Sequence, residues 1–234
     1  MPDQQFVVAT IRPWNVDQFH AARPGLPGVW HLISDPDELT MARLASIQPR
    51  YVFFPHWSHK VPAEMFDRYE CVAFHETDLP YGRGGSPIQN LIERGHADTV
   101  VSALRMVETF DAGPVYAKRP LSLVGLAEEI YLRAAAIVFE MIKEIVVTQP
   151  TPVPQTGDSV VFRRRTPEQS AVPRDLRTLG ALFDHIRMLD AEGYPSAFLE
   201  HGNFRIEFIR PALRTGRLEA SVNITLATKP GQQS

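Results

Sequence analysis

Two residues carry most of the chemistry in this chain of 234 residues, His75 and Asp111. His75 closes the apolar run Cys71-Val72-Ala73-Phe74 and opens the turn Glu76-Thr77-Asp78-Leu79-Pro80-Tyr81-Gly82-Arg83-Gly84-Gly85-Ser86-Pro87. A histidine at the end of a buried strand, ahead of a Gly/Pro-rich turn and a helix, stands where open α/β sheets bind ligands. Asp111 opens a second turn, Asp111-Ala112-Gly113-Pro114. An aspartate beside an imidazole orients it, fixes its tautomer and stabilises the imidazolium formed when the ring takes a proton. Together they are the minimum parts of a general-base pair. Each also has a plainer reading. Asp-Ala-Gly-Pro is a good turn by itself. A lone histidine is more often structural, and the glycines serve a tight turn as well as close approach to a ligand.

The elements that must position this pair can be read from periodicity and punctuation. Residues 6–11, 29–33, 51–54 and 71–75 are short apolar runs with the composition of buried strands. Helical segments fall between them: residues 16–22, a helix from Asp35 as N-cap and Pro36 as first helical residue to about Ile47, and residues 62–69. This alternation predicts a doubly wound, mostly parallel sheet. Residues 87–94 read as a helix, 99–108 and 115–121 as strands, and 126–147 as a long amphipathic helix. Pro150, Pro152 and Pro154 then make a stiff linker. We expect a catalytic domain over 1–148, a linker over 149–157 and a small α+β appendage over 158–234. The appendage holds a strand at 160–162, a helix at 176–189 with one apolar face, and short antiparallel strands at 197–199, 204–209 and 218–224.

Composition narrows the class. Hydrophobic residues at 44%, charged residues at 22% and a net charge of −3 describe a globular protein with no global pull toward nucleic acid or membrane. The single cysteine, Cys71, precludes an intrachain disulfide and fits a reducing compartment. Lying in an apolar strand, it reads as an inert core thiol. No apolar run approaches the about 20 residues of a membrane span. The polar start Met1-Pro2-Asp3-Gln4-Gln5 is not a signal peptide, which makes the cytoplasm the expected location.

The two turns also carry a resemblance. The spacing of His75, Leu79, Pro80, Arg83, Gly84 and Pro87, followed by a strand leading to Asp111 and Gly113, resembles the signature of the N10-formyltetrahydrofolate-dependent formyltransferases, and most closely the sugar N-formyltransferases. The likeness covers about residues 50 to 145. A weaker one extends to Phe162-Arg163-Arg164-Arg165-Thr166-Pro167 and Tyr194-Pro195-Ser196-Ala197-Phe198. It implies a Rossmann-like formyltransferase fold and N10-formyltetrahydrofolate as cosubstrate. It also implies transfer of the formyl group to a primary amine, with His75 as general base and Asp111 orienting it. In that reading His56 and Trp57 border the pterin, residues 104–107, with Leu104 and Met106, line it through main-chain groups, and Arg83, Gly84 and Gly113 complete the folate side. Trp57 serves equally as a core residue.

One departure matters. The family's catalytic asparagine falls at Ala73, and an oxyanion donor is typically worth about 3 kcal/mol. His56, Thr77, Asn90 or a water are the possible stand-ins. Loss of that amide leaves two alternatives open: a formyltetrahydrofolate hydrolase, or a folate- or nucleotide-binding protein without catalysis. On the acceptor side Thr77 and the basic run Arg163, Arg164 and Arg165 are candidates. Guanidinium groups bind phosphate in bidentate fashion, although a solvated patch gives the same run. The tail resemblance implies an amino sugar carried on a nucleotide. One short basic run is too little for a large RNA footprint, and neither a nucleic-acid partner, a membrane nor a metal site is expected. The apolar tail strands and the family likeness imply a homodimer.

Overall fold

The computed structural model describes residues 4–227. In chain order the elements are β1 (Gln5–Ala9), α1 (Pro13–Ala22), β2 (Val29–Ile33), α2 (Met41–Ile47), β3 (Tyr51–Phe54), α3 (Ala63–Arg68) and β4 (Cys71–His75). They continue with β5 (Tyr81–Gly84), α4 (Pro87–Glu93), β6 (Asp98–Arg105), β7 (Val115–Ser122), α5 (Ala127–Thr148) and β8 (Val160–Phe162). The chain closes with α6 (Leu179–Arg187), β9 (Ala197–His201), β10 (Phe204–Arg214) and β11 (Arg217–Leu226).

The central sheet has the order β2-β1-β3-β4-β6-β7. Strands β2, β1, β3 and β4 pair in parallel, and β4–β6 and β6–β7 are antiparallel. Side chains alternate across a strand, so each parallel strand feeds two cores. Phe6, Val8, Tyr51, Phe53, Val72 and Phe74 face the side covered by α1, α4 and α5. Val7, Ala9, Val52, Phe54 and Cys71 face Leu44 and Ile47 of α2 and Met65 of α3. Helices on both faces give the doubly wound α/β architecture expected from the sequence. The parallel strands all end at one edge, which carries His75 and the loop after β3.

The tail wraps back onto this body. β8 pairs in parallel with β5, and Phe162 is buried in the larger core together with Ile186, Met188 and Leu189. Val153, in the proline-rich segment, exchanges two backbone hydrogen bonds of 2.8 Å with Val115. β9, β10 and β11 form a separate antiparallel sheet with a bulge between Ile209 and Ala212. Its strands run longer than the short segments expected at 204–209 and 218–224.

Two local expectations need correction. The helix expected from Pro36 to Ile47 is two elements. Pro36–Glu38 is a single 3-10 turn whose N-cap Asp35 accepts from the Asp37 N–H at 2.9 Å. Leu39 leaves the helical region, and the Thr40 hydroxyl accepts from the Arg43 N–H at 3.1 Å to start α2 afresh. The second cap outcompetes helix continuation, as Ser and Thr side chains do near free N–H groups. β5, within the glycine turn, was not expected as a strand. Its two glycines have no side chains to alternate, and its ladder is set by β8.

Candidate active site

His75 ends β4 with its ring almost fully enclosed, 6% exposed. Its Nε2 lies 2.7 Å from the Gly82 carbonyl. A carbonyl only accepts, so Nε2 carries the hydrogen and donates it. In the neutral ring Nδ1 is then the free base nitrogen. It faces Asp111, whose Oδ2 lies 3.8 Å away. The same Asp111 Oδ2 accepts from the Gly84 N–H at 2.9 Å. The β5 turn therefore grips both members of the pair, His75 through Gly82 and Asp111 through Gly84. Gly84 adopts φ +99, and a Cβ there would strike the Phe162 carbonyl across the β5–β8 ladder. Below the turn, the Ser102 hydroxyl donates to the Thr77 carbonyl at 2.7 Å, and Thr77 is fully buried. Lys118 of β7 donates to the Leu79 carbonyl at 2.6 Å and pairs with Asp78.

Asp111 sits at a left-handed φ of 54, which a non-glycine residue tolerates only when its surroundings fix it. Gln155, from the segment expected to be a mere spacer, supplies that fixation. Its Nε2 donates to the Asp111 and Gly113 carbonyls, each at 2.8 Å. Its Oε1 accepts from Arg83 Nη2 at 2.7 Å and Arg83 Nε at 3.1 Å. Arg83 thus braces the aspartate turn through Gln155. Gly113 lies against the Arg105 carbonyl so tightly that a Cβ would overlap it.

On the face shared by Ala73 and His75, Ala73 is flanked by Phe54 and Leu104 in the sheet register. Leu104 is buried, and the Met106 N–H donates to the Cys71 carbonyl at 2.8 Å. Trp57 and Met106 pack at the border of the smaller core. The buried Trp57 Nε1 has no hydrogen-bond partner among the described residues. Asn90 is spent elsewhere: its Nδ2 contacts the Gly85, Ser86 and Arg163 carbonyls and its Oδ1 accepts from Arg94. The basic run divides. Arg165 pairs with Glu93 at 3.0 Å and donates to the Gln169 carbonyl at 2.7 Å, a structural clamp. Arg163 and Arg164 are exposed, with Arg164 packed over Gly85.

His56 lies across the sheet edge from the base pair, in a second cluster that sequence reasoning missed. His56 Nδ1 is 3.5 Å from Glu76 Oε1, and its Nε2 is 3.0 Å from the Tyr194 hydroxyl. Glu76 is buried, 6% exposed. Burial works against its charge, yet the His56 hydrogen bond, the His56 charge and nearby His75 hold the carboxyl below the usual carboxylate range. Gln155 and Glu76 left no signal in the sequence, and Tyr194 stood out only as part of the tail resemblance. Each is a single polar residue whose partners come from distant segments.

A family model described as the C-terminal domain of methionyl-tRNA formyltransferase matches residues 167–225. The structure described as methionyl-tRNA formyltransferase from Clostridium thermocellum superposes with a TM-score of 0.93 at 43% identity, covering 95% of this chain and 99% of that one. A methionyl-tRNA formyltransferase from Wolinella succinogenes is 31% identical over 148 residues, 58% of this chain and 48% of its own length. The curated relatives are longer proteins, of which this chain spans 36 to 65%. A sugar N-formyltransferase from Shewanella sp FDAARGOS_354 shares the fold, with a TM-score of 0.64 at 14% identity over 83% of this chain and 92% of that one.

Proposed function

Because the chain belongs to the formyltransferase family, we propose that it transfers a formyl group from N10-formyltetrahydrofolate to a primary amine. The observation that carries this reading is the anchored tautomer of His75. With Nε2–H held on the Gly82 carbonyl, Nδ1 is free to take a proton from the attacking amine, and Asp111 faces the charge that then forms. Gly84 and Gln155 hold Asp111 in place for that task.

The residues present fit the folate cosubstrate. The indole N–H of Trp57, which packs with Met106 against the smaller core, is a buried donor that lacks an acceptor among the described residues. Trp57, Leu104 and Met106 would hold the pterin, with Gly113 keeping the neighbouring turn close. When bound, the cosubstrate supplies the activated formyl group. His75 and Asp111 remain the proposed catalytic pair, His56, Arg83 and Gly84 shape the walls around it, and the fully buried Thr77 acts only through the turn it supports.

For the acceptor, the exposed guanidiniums of Arg163 and Arg164 support an amine carried on a phosphorylated nucleotide, such as an amino sugar. The relative from Clostridium thermocellum supports a second acceptor, the methionyl-tRNA of its description. A turnover assay offering N10-formyltetrahydrofolate with methionyl-tRNA or with nucleoside-diphosphate amino sugars decides between them. Ala73 supports a rival outcome. Release of formate without a formylated amine identifies a hydrolase, and tight folate binding without either product identifies a binding protein. His75→Ala should abolish transfer, and near-normal turnover in that variant would reject the base assignment.

We retain the division at 149–157 and a cytoplasmic location as parts of this reading. Exposed Val222, Ile224 and Leu226 on the edge strand β11 support a homodimer, to be checked by light scattering.

A further inference from the structure

We propose that Tyr194 and His56, backed by Glu76, form a proton exit for the acceptor amine, distinct from the His75 base and resting on the formyl-transfer reading above. The need for it comes from proton bookkeeping. A primary amine is an ammonium ion at neutral pH and cannot attack until it loses a proton. Of its three N–H hydrogens, the product formamide keeps one. One replaces the formyl group on the leaving nitrogen of the donor, and one is released. Two protons must therefore leave the acceptor nitrogen. His75 offers a single free nitrogen, Nδ1, because Nε2–H is held on Gly82. One proton passes from the acceptor through His75 toward the leaving nitrogen. The other leaves to bulk water before binding, or by a separate path within the site.

The second cluster has the form of such a path. Gln89 Nε2 donates to the buried Tyr131 hydroxyl at 2.9 Å. The Tyr131 and Tyr194 rings stack with their centroids 5.3 Å apart. The Tyr194 hydroxyl is 3.0 Å from His56 Nε2, and His56 Nδ1 faces Glu76 at 3.5 Å. With the Glu76 carboxylate at one end, His56 Nδ1–H points to Glu76 and leaves Nε2 to accept from the Tyr194 hydroxyl. Tyr194 and His56 are half-buried, whereas Glu76 and Tyr131 are enclosed, and Tyr194, the end away from the carboxylate, is the side on which the proposal places the ligand. An ammonium hydrogen passed to the Tyr194 oxygen sends the hydroxyl hydrogen on to His56 Nε2. His56 becomes an imidazolium beside the Glu76 carboxylate and later loses the proton to solvent.

The surroundings suit this role. His56 has a left-handed φ of 53, a conformation kept only where the fold fixes it. Its ring stands edge-on to Tyr131 at 4.7 Å and to Trp14 at 5.7 Å, which holds both ring nitrogens on their partners. The Arg12 guanidinium lies over the Tyr194 and Trp14 rings. The titratable and charged groups facing His56 and Tyr194 are Glu76 and His75 at the end of β4, Tyr131 on α5, Arg12 ahead of α1 and Arg164 after β8. Arg12 and Arg164 disfavour a cation at Tyr194 and so favour the ammonium's loss of a proton.

The test compares pH profiles of kcat/KM for the acceptor at saturating formyl donor. The proteins are the wild type, Tyr194→Phe and His56→Gln, and the acceptors are methionyl-tRNA and a nucleoside-diphosphate amino sugar. Without the relay only the free amine reacts. Each variant should then lose about tenfold per pH unit below the amine's own pKa, about 7.7–8.0 for an α-amino group, and rejoin the wild type at pH 9. The wild type should hold its rate to lower pH. A second readout is independent of turnover: nitrogen NMR of the unliganded protein should place the hydrogen of the neutral His56 ring on Nδ1 rather than Nε2. Profiles that are parallel and differ by a constant factor overturn the relay while leaving the transfer reading intact, and so does a neutral His56 carrying its hydrogen on Nε2. A wild type inert toward both acceptors overturns the transfer reading, and the relay falls with it.

Discussion

Cys71 and His75 share one face of β4, and their surroundings send them to opposite chemistry. Burial, aided by the charge of Glu70, pushes the Cys71 thiol up to about 12. Since the thiolate is the reactive form, iodoacetamide at pH 8 should leave the native protein unmodified and alkylate it in urea. Native labelling at the unfolded rate would show that the strand opens. Glu76 makes a pH-dependent contribution whose sign follows from its lowered carboxyl. A carboxylate depressed in the folded state stabilises fully above its usual value of 4.5, and that stability is lost as the pH falls through the folded value. Glu76→Gln should therefore flatten the decline of melting temperature below pH 4.5 relative to wild type. Parallel declines would mean that the pairing with His56 contributes nothing to folding. His75 and Asp111 could be read from the sequence because each lies at a turn with its own local signature. Glu76 could not, because a lone glutamate in a turn looks solvent-exposed until His56 and Tyr194 arrive from far along the chain.

The aspartate turn is held from outside, by Gln155 in a segment with no regular structure of its own. Gln155→Ala removes the donor shared by the Asp111 and Gly113 carbonyls and frees Arg83. The expected cost is about 1–3 kcal/mol of stability. Under the transfer reading, kcat should fall more than KM, because Asp111 is loosened while the walls of the site stay in place. An unchanged kcat with a lowered melting temperature would limit Gln155 to a structural role. β3 and β4 could be read from the sequence to the residue because buried parallel strands are near-continuous apolar runs, and the edge strand β2 because β-branched and aromatic residues between turn residues mark it. β5 was hidden because its pairing is dictated by β8 rather than by its own side chains. The break at Leu39 was hidden because two capping residues, Asp35 and Thr40, compete within one helical pattern.

The tail is fastened to the body by buried polar bonds as well as by apolar packing. Arg187, on α6, is 8% exposed and donates to the Leu123 and Gly125 carbonyls at 2.6 and 2.9 Å. Gln89, on α4, reaches the Met188 carbonyl at 3.1 Å. With Phe162 and Ile186 inside the larger core, heating should unfold the chain in one transition, with equal calorimetric and van't Hoff enthalpies. Arg187→Leu should cost about 3 kcal/mol by stranding two buried carbonyls. Two resolved transitions, the lower one shifted by this variant, would show that the tail melts by itself. The ladder between β5 and β8 has a further consequence for how the protein is made. His75, Asp111 and Gly84 are all synthesised well before Phe162. A ribosome that has just released Gln155 therefore presents a nascent chain that holds both His75 and Asp111, but with the glycine turn that aligns them still lacking its neighbouring strand. The pair is aligned late in translation, when β8 clears the exit tunnel and lies down beside β5.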